Sequence, residues 1–404
     1  MRVLCTSMGS PSHGRALLPL ARAVADAGHE VTIAATEAVA HVFAADRVAV
    51  DVCLPPFPPL SGDVDPLGMD GDAAVRFRKL TEGMVGPGAR AAHPALSRLA
   101  RAVRPDLLIR DGMDLAACLV AEDLGVPHLP IPSGFANAAD PGVVRAVLAD
   151  VRAAVGLPPN DAADAVAPFG RFDYLPAAYS FAPFPGRVHA YRQTTTVERT
   201  AGLPGWVTRL PGDRPLVFAA IGTALPMVRA MIAAGVPVPP GMADPAEPLR
   251  HIVAGLSDLD CTAVVATGGI PLDGPAPAPH VHVTDRLPQP LLLECADLFV
   301  THGGYNSVRE AIRTATPMVV LPQFGDQPHN ARRVEALGLG RHLTDPAPDT
   351  LAAACRAVLA DDATAVRLRA ARLAVLALPD LAQAPADLEE LVAGRRVGPP
   401  RVSV

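Results

Sequence analysis

Residues 296–330 read ADLFVTHGGYNSVREAIRTATPMVVLPQFGDQPHN, and the fold follows from how the chain changes character along them. An apolar run, Leu298 to Thr301, predicts a strand. His302-Gly303-Gly304 interrupts it, and Asn306, Ser307 and Glu310 lead into Val308, Ala311 and Ile312 at helical spacing. The unit is strand, glycine turn, helix start. A second apolar run, Met318 to Leu321, predicts another strand, closed by Gln323-Phe324-Gly325-Asp326-Gln327. Neighbouring βα units put both strand tips on one edge of a parallel sheet, where ligands of open α/β sheets bind.

The chemistry of that edge is polar and anion-seeking. Two glycines remove the side chains that would hold a ligand off the backbone, and a helix start presents unpaired N–H groups with the positive end of its dipole. A phosphate is the natural guest. His302 adds a donor, and Ser307 adds a hydroxyl that could equally cap the helix. Asp326 and Gln327, an acceptor beside a bifunctional amide, suit the vicinal hydroxyls of a sugar.

These residues resemble the nucleotide-sugar-dependent glycosyltransferases built from two Rossmann-like α/β domains facing across a cleft, the GT-B fold. Within that fold the resemblance is to the inverting group that decorates antibiotics, macrolides and plant secondary metabolites. It implies that His302, Gly303, Gly304, Asn306 and Ser307 hold the donor diphosphate, with Thr223 able to touch phosphate from another strand tip. Asp326 and Gln327 would hold the donor sugar. Residues 285–290, DRLPQP, resemble the family's base-recognition turn, so Arg286, Leu287 and Gln289 are expected at the nucleotide base. Arg286 stands where the family usually has an aromatic residue, and a guanidinium can stack on a base.

The start of the chain repeats the βα pattern. Residues 2–7 predict a strand, the stretch from Leu17 to Gly28 a helix, and Val31 to Ala35 and Val48 to Val52 further strands. His13 is expected in a loop after the first strand. Arg104-Pro105-Asp106 precedes the strand Leu107 to Ile109, with Asp111 at its tip and Asp114 as the alternative carboxylate. A carboxylate beside one imidazole nitrogen fixes the tautomer and stabilises the imidazolium. The resemblance makes His13 the general base that deprotonates an acceptor hydroxyl, with Asp111 as its partner.

A chain of 404 residues is comfortable for two domains of ~200. The expected layout is an acceptor-binding domain over 1–200, a nucleotide-sugar-binding domain over 201–378, and a C-terminal helix and tail over 379–404 that packs back on the first domain. The linker is expected between Pro185 and Pro215. Residues 54–72 and the segment Pro226 to Pro248 read as irregular, being dense in proline and glycine. Tyr174, Tyr179, Phe181 and Phe184 gather before the linker and read as interdomain packing or acceptor lining.

Hydrophobic residues make up 50% of the chain, ample for cores, and aromatics only 4%. The net charge of −6, with no basic stripe, argues against nucleic acid as a partner. Six scattered cysteines without C-x-x-C spacing read as core residues in a reducing compartment. His280 and His282 lack a third ligand, so no metal is expected. No apolar run approaches ~18 residues and the first residues pass straight into a strand, so a soluble, cytoplasmic protein is expected.

The implied function is therefore metal-independent inverting transfer of a sugar, a deoxysugar in the antibiotic branch, from a dTDP-sugar to a hydroxylated, hydrophobic natural-product aglycone. No cofactor is expected beyond the nucleotide-sugar co-substrate, and homodimerisation stays open. The alternatives are a UDP-sugar-dependent transferase, an epimerase on the same fold, and a silent nucleotide-sugar-binding homologue that activates a partner.

Overall fold

The computed structural model describes residues 1–56, 73–133, 139–182, 186–195, 197–199, 202–233, 235, 244 and 246–396. Most of the expected irregular stretch 54–72, parts of 226–248, Phe184 and the last eight residues lie outside these. The chain divides into two compact units. Among the described residues the first runs to Thr194 and resumes at Leu378, and the second spans Thr195–Ala377.

Unit 1 begins β1 (Arg2–Ser7), α1 (Pro11–Asp26), β2 (Glu30–Ala35), α2 (Glu37–Ala40), β3 (Ala49–Asp51) and α3 (Ala73–Leu80). A π turn over Thr81–Val85 joins α3 to α4 (Gly86–Val103). Then follow β4 (Leu107–Asp111), α5 (Leu115–Leu124), β5 (His128–Ile131), α6 (Pro141–Ala154), β6 (Arg171–Asp173) and β7 (Val188–Ala190). The main sheet is parallel, in the order β3-β2-β1-β4-β5. Alternate residues of β1 serve opposite faces: Val3 and Cys5 join one apolar cluster and Leu4 the other.

Unit 2 runs β8 (Leu216–Ala220), α7 (Ala224–Ala233), α8 (Glu247–Ser257), β9 (Thr262–Ala266), β10 (Val281–Thr284) and α9 (Gln289–Leu292). It continues β11 (Leu298–Thr301), α10 (Tyr305–Thr314), β12 (Met318–Val320), α11 (Gln327–Ala336), β13 (Gly340–His342), α12 (Pro348–Leu359) and α13 (Asp362–Leu376). Its sheet is also parallel, ordered β10-β9-β8-β11-β12-β13. Both sheets reverse their strand order once, between β1 and β4 and between β8 and β11. That reversal opens a crevice at the carboxyl ends of the two strands.

The final helix, α14 (Ala384–Arg396), belongs to unit 1, where Leu381, Ala384, Leu388 and Val392 enter the cluster of β1 and α1. Tyr191 donates to Asp387 at 2.5 Å and Arg192 to Asp380 at 2.7 Å.

Three sequence expectations are corrected. His13 is not in a loop: α1 starts at Pro11, so His13 occupies its first turn. Proline is pre-shaped for a first helical position, and the helix accepts glycine at 14 because a Cβ there would meet Val39 Cγ1 at 2.8 Å. Tyr174 is neither interdomain packing nor acceptor lining. It is fully buried in unit 1, donates to the Ala16 carbonyl at 2.9 Å and meets Phe172 edge-on. The expected linker also starts too early, because β7 pairs with β6 inside unit 1.

Candidate active site

In unit 1 the crevice between β1 and β4 brings His13 and Asp111 together. Gly9 turns the chain out of β1 at φ +78, and the His13 ring lies against it, 3.2 Å from where a Cβ would stand. Nδ1 of His13 is 2.8 Å from Oδ2 of Asp111 across 98 residues of sequence. Asp111 is fully buried. Its Oδ2 also accepts from the Met8 N–H at 3.4 Å, and its Oδ1 accepts from the Ser133 hydroxyl at 2.6 Å and the Met113 N–H at 2.9 Å. Burial alone would raise the Asp111 pKa. The positive field and hydrogen bond of His13, with the bonds from Ser133 and Met113, outweigh it and hold the carboxyl below its ordinary value. An ionised carboxylate only accepts, so Nδ1 carries the proton and Nε2 the basic lone pair.

Asp114, the alternative partner, caps α5 by accepting from the Ala117 N–H at 3.2 Å. Burial raises its pKa. Two residues without a role in the sequence pattern shape this corner. Arg110, buried, donates to the carbonyls of Asp111 and Gly112 at 3.2 Å each and to Val166 at 2.7 Å. Ser133 stands just past β5 and accepts from the Gly112 N–H at 2.8 Å. Its place at the tip of the strand next to β4 is the one signal that could have found it.

In unit 2 the crevice between β8 and β11 holds the glycine turn. His302 is wedged between Gly222 and Gly304, and a Cβ on either would stand 2.5 Å from its ring. Gly303 has φ +83, and a Cβ there would meet Val320 Cγ1 at 2.6 Å. Both features require glycine. Burial pushes the His302 pKa down to about 4, with the Ala220 carbonyl opposing it, so the ring is neutral at pH 7. Gly304 is the N-cap of α10, with no side-chain cap, which leaves the first turn's N–H groups to other acceptors. Thr223 follows Gly222 beyond the tip of β8, half-buried.

Ser307 lies within that first turn and does not cap the helix. Its hydroxyl accepts from Gln289 Nε2 at 3.2 Å, and the same amide donates to Glu310 at 2.7 Å. Gln289, expected at a base, is thus turned toward α10, while Arg286 is exposed and Leu287 half-buried on the turn after β10. Asp326 occupies the N-cap position of α11 without a capping bond. Asn330 donates to Asp326 Oδ2 at 2.8 Å and to the Gly303 carbonyl at 2.9 Å, tying the two strand-tip loops together. The Gln327 carbonyl oxygen accepts from the N–H groups of Gln323 and Phe324 at 2.8 and 3.1 Å, which points its Nε2 the other way as a donor.

His280 Nε2 bonds the Leu256 carbonyl at 3.1 Å, and the His282 ring packs 5.9 Å from Trp206. Among the described residues no group of three or more His, Cys, Asp or Glu is placed to hold a metal ion. Nor is any described helix long and apolar enough to cross a membrane.

Residues 250–391 match the family described as erythromycin biosynthesis protein CIII-like, C-terminal domain. Over 378 residues the chain is 29% identical to an L-demethylnoviosyl transferase of Streptomyces niveus, covering 89% of this chain and 90% of the relative. It is 27% identical to a tylactone mycaminosyltransferase of Streptomyces fradiae, over 98% of this chain and 94% of that one. A solved spinosyn rhamnosyltransferase complexed with thymidine diphosphate superposes with a TM-score of 0.73 at 24% identity, covering 96% and 100% of the two chains.

Two Rossmann-like units with a glycine turn at the second switch point give the GT-B fold, and the sequence relatives along the chain are glycosyltransferases. Along most of its length the chain is similar to antibiotic and macrolide glycosyltransferases, and over residues 250–391 it matches the erythromycin biosynthesis protein CIII-like C-terminal domain.

Proposed function

We propose that this chain moves a sugar, in the first instance a deoxysugar, from a dTDP-sugar to a hydroxyl of a natural-product aglycone, with inversion and without a metal. Unit 2 takes the donor and unit 1 the hydrophobic, hydroxylated acceptor. The acceptor oxygen attacks the anomeric carbon while the bond to the diphosphate oxygen breaks. The hydroxyl proton passes to His13 Nε2, and Asp111 stabilises the resulting imidazolium. A single displacement inverts the anomeric centre. The departing dTDP carries the negative charge, which the first turn of α10, Asn306, Ser307 and neutral His302 are suited to receive, with Thr223 beside them. Asp326 and Gln327 offer an acceptor and a donor to adjacent sugar hydroxyls. Arg286 and Leu287 are left for the base, and Gln289 for the nucleoside side of Ser307.

The observation that carries this reading is the 2.8 Å contact of His13 with an Asp111 whose two oxygens are held by other donors. The thymidine diphosphate of the structural neighbour, and the natural-product transferases among the relatives, support the donor and acceptor classes. Calorimetric titration with dTDP and with UDP, without added metal, tests it. Preference for dTDP is expected. Preference for UDP would redirect the donor to a UDP-sugar, and binding of neither would overturn the diphosphate assignment of His302 to Ser307.

A further inference from the structure

His13 and Asp111 account for a base and its partner, and they leave unexplained a third side chain built into the same corner. Ser133 is buried, 4% exposed, two residues beyond the end of β5. The Gly112 N–H donates to its oxygen at 2.8 Å. That bond occupies a lone pair of the hydroxyl and directs its hydrogen toward Asp111 Oδ1, 2.6 Å away. The Gly112 N–H is itself held in place, because Arg110 draws in the carbonyls on either side of it, those of Asp111 and Gly112. The hydroxyl is therefore a donor of fixed aim, on the oxygen that His13 does not use.

We infer that Ser133 is a positioning residue that sets the strength of the His13 base by sharing the charge of Asp111. A carboxylate that gives part of its charge to a second donor stabilises the imidazolium less. The imidazole then stays neutral, and able to accept a proton, to lower pH. Without Ser133 the full charge would face His13, the ring would stay protonated to higher pH, and the carboxylate would lose the bond that keeps Oδ2 directed at Nδ1. The charged and titratable groups around the pair are Asp114, buried at the head of α5, and Arg110, which adjoins Asp111 on β4 and turns its guanidinium to backbone carbonyls. Neither is hydrogen-bonded to the Asp111 carboxylate, so apart from His13 itself Ser133 is the side chain whose removal changes its charge most directly.

This rests on His13 being the base, and the test is chosen to fail separately from that reading. The probe is the His13 imidazole itself, followed by heteronuclear NMR through a pH titration of the full chain without substrate. Ser133→Ala should raise the His13 pKa by about half a unit to one unit, while Ser133→Thr, which keeps the hydroxyl, should restore the wild-type value. If Ser133→Ala does not fold, Ser133→Cys keeps the volume with a weaker donor and should shift the titration the same way by less. A His13 titration unmoved in whichever variant folds overturns the inference. The base reading stands or falls apart from this, on whether His13→Ala loses transfer.

Discussion

The two switch points of this molecule are made from the same strand-turn-helix parts and treat charge in opposite ways. At β1 and β4 a full negative charge sits on Asp111 at zero exposure, and four donors, two from side chains and two from the backbone, hold it there. At β8 and β11 the side chain nearest the turn is a histidine kept neutral by burial, and the polarity comes from backbone N–H groups uncovered by glycine. The difference follows from what each end must handle in the proposed reaction. A proton taken from a hydroxyl needs a fixed counter-charge for the imidazolium that forms. A diphosphate brings its own charge, and a second buried ion waiting for it would cost several kcal/mol to desolvate when no ligand is present.

The sharpest way to break this comparison is to remove the base. His13→Ala should lower transfer by about 10²–10⁴-fold while dTDP affinity, measured by calorimetry, stays within about twofold. Retained turnover would remove the catalytic half of the contrast. Next in size is the pH response of the glycine turn. The folded His302 pKa of about 4 lies below its ordinary 6.5, so the unfolded chain binds a proton that the folded chain refuses. Stability is whole above about pH 6.5 and falls as pH drops toward 4, by about 3 kcal/mol in total. Denaturant titrations at several pH values should show that loss in wild type and lack it in His302→Asn. Asp111 acts in a separate window: its pKa is depressed, so its contribution is present above the ordinary carboxylate range and is lost only below it.

A smaller effect is expected from Asn330→Ala, which strips one donor each from the Gly303 carbonyl and Asp326. It should cost about 1–3 kcal/mol in chemical denaturation and weaken a dTDP-sugar more than dTDP if Asp326 serves the sugar. Equal weakening of both would confine Asn330 to the glycine turn. The smallest is Tyr174→Phe, which removes a hydroxyl bonded to the Ala16 carbonyl. A loss of about 1 kcal/mol, with dTDP affinity unchanged, would confirm that this tyrosine belongs to the core of unit 1 alone.

What could be read along the chain was whatever depends on neighbours in sequence. The strand Leu298 to Thr301 declares itself by four consecutive apolar or β-branched residues, and the turn after it by paired glycines. Asp111 was visible as a carboxylate at a strand tip. The first turn of α1 was misread because SPSHG is made of residues that favour turns. Pro11 sits at a helix position that suits it, and Gly14 is there because Val39, 25 residues away, leaves no room for a Cβ. Gln289 was placed at a base by the resemblance of residues 285–290 to a base-recognition turn, and only the fold revealed Ser307 and Glu310 within reach of its amide.

The sequence by itself determined the two βα-repeating halves, the glycine turn with its anion-seeking backbone, and the presence in one half of a histidine after the first strand and an aspartate at the tip of a later one. Those depend on local propensity and on the two- and 3.6-residue periods, which any short window contains. The tertiary structure alone decided that His13 meets Asp111, that Ser133 aims its proton at that carboxylate, that Asn330 ties Gly303 to Asp326, and that His302 is neutral. Each of these is a matter of burial and of contacts between residues that only a closed sheet brings within 3 Å.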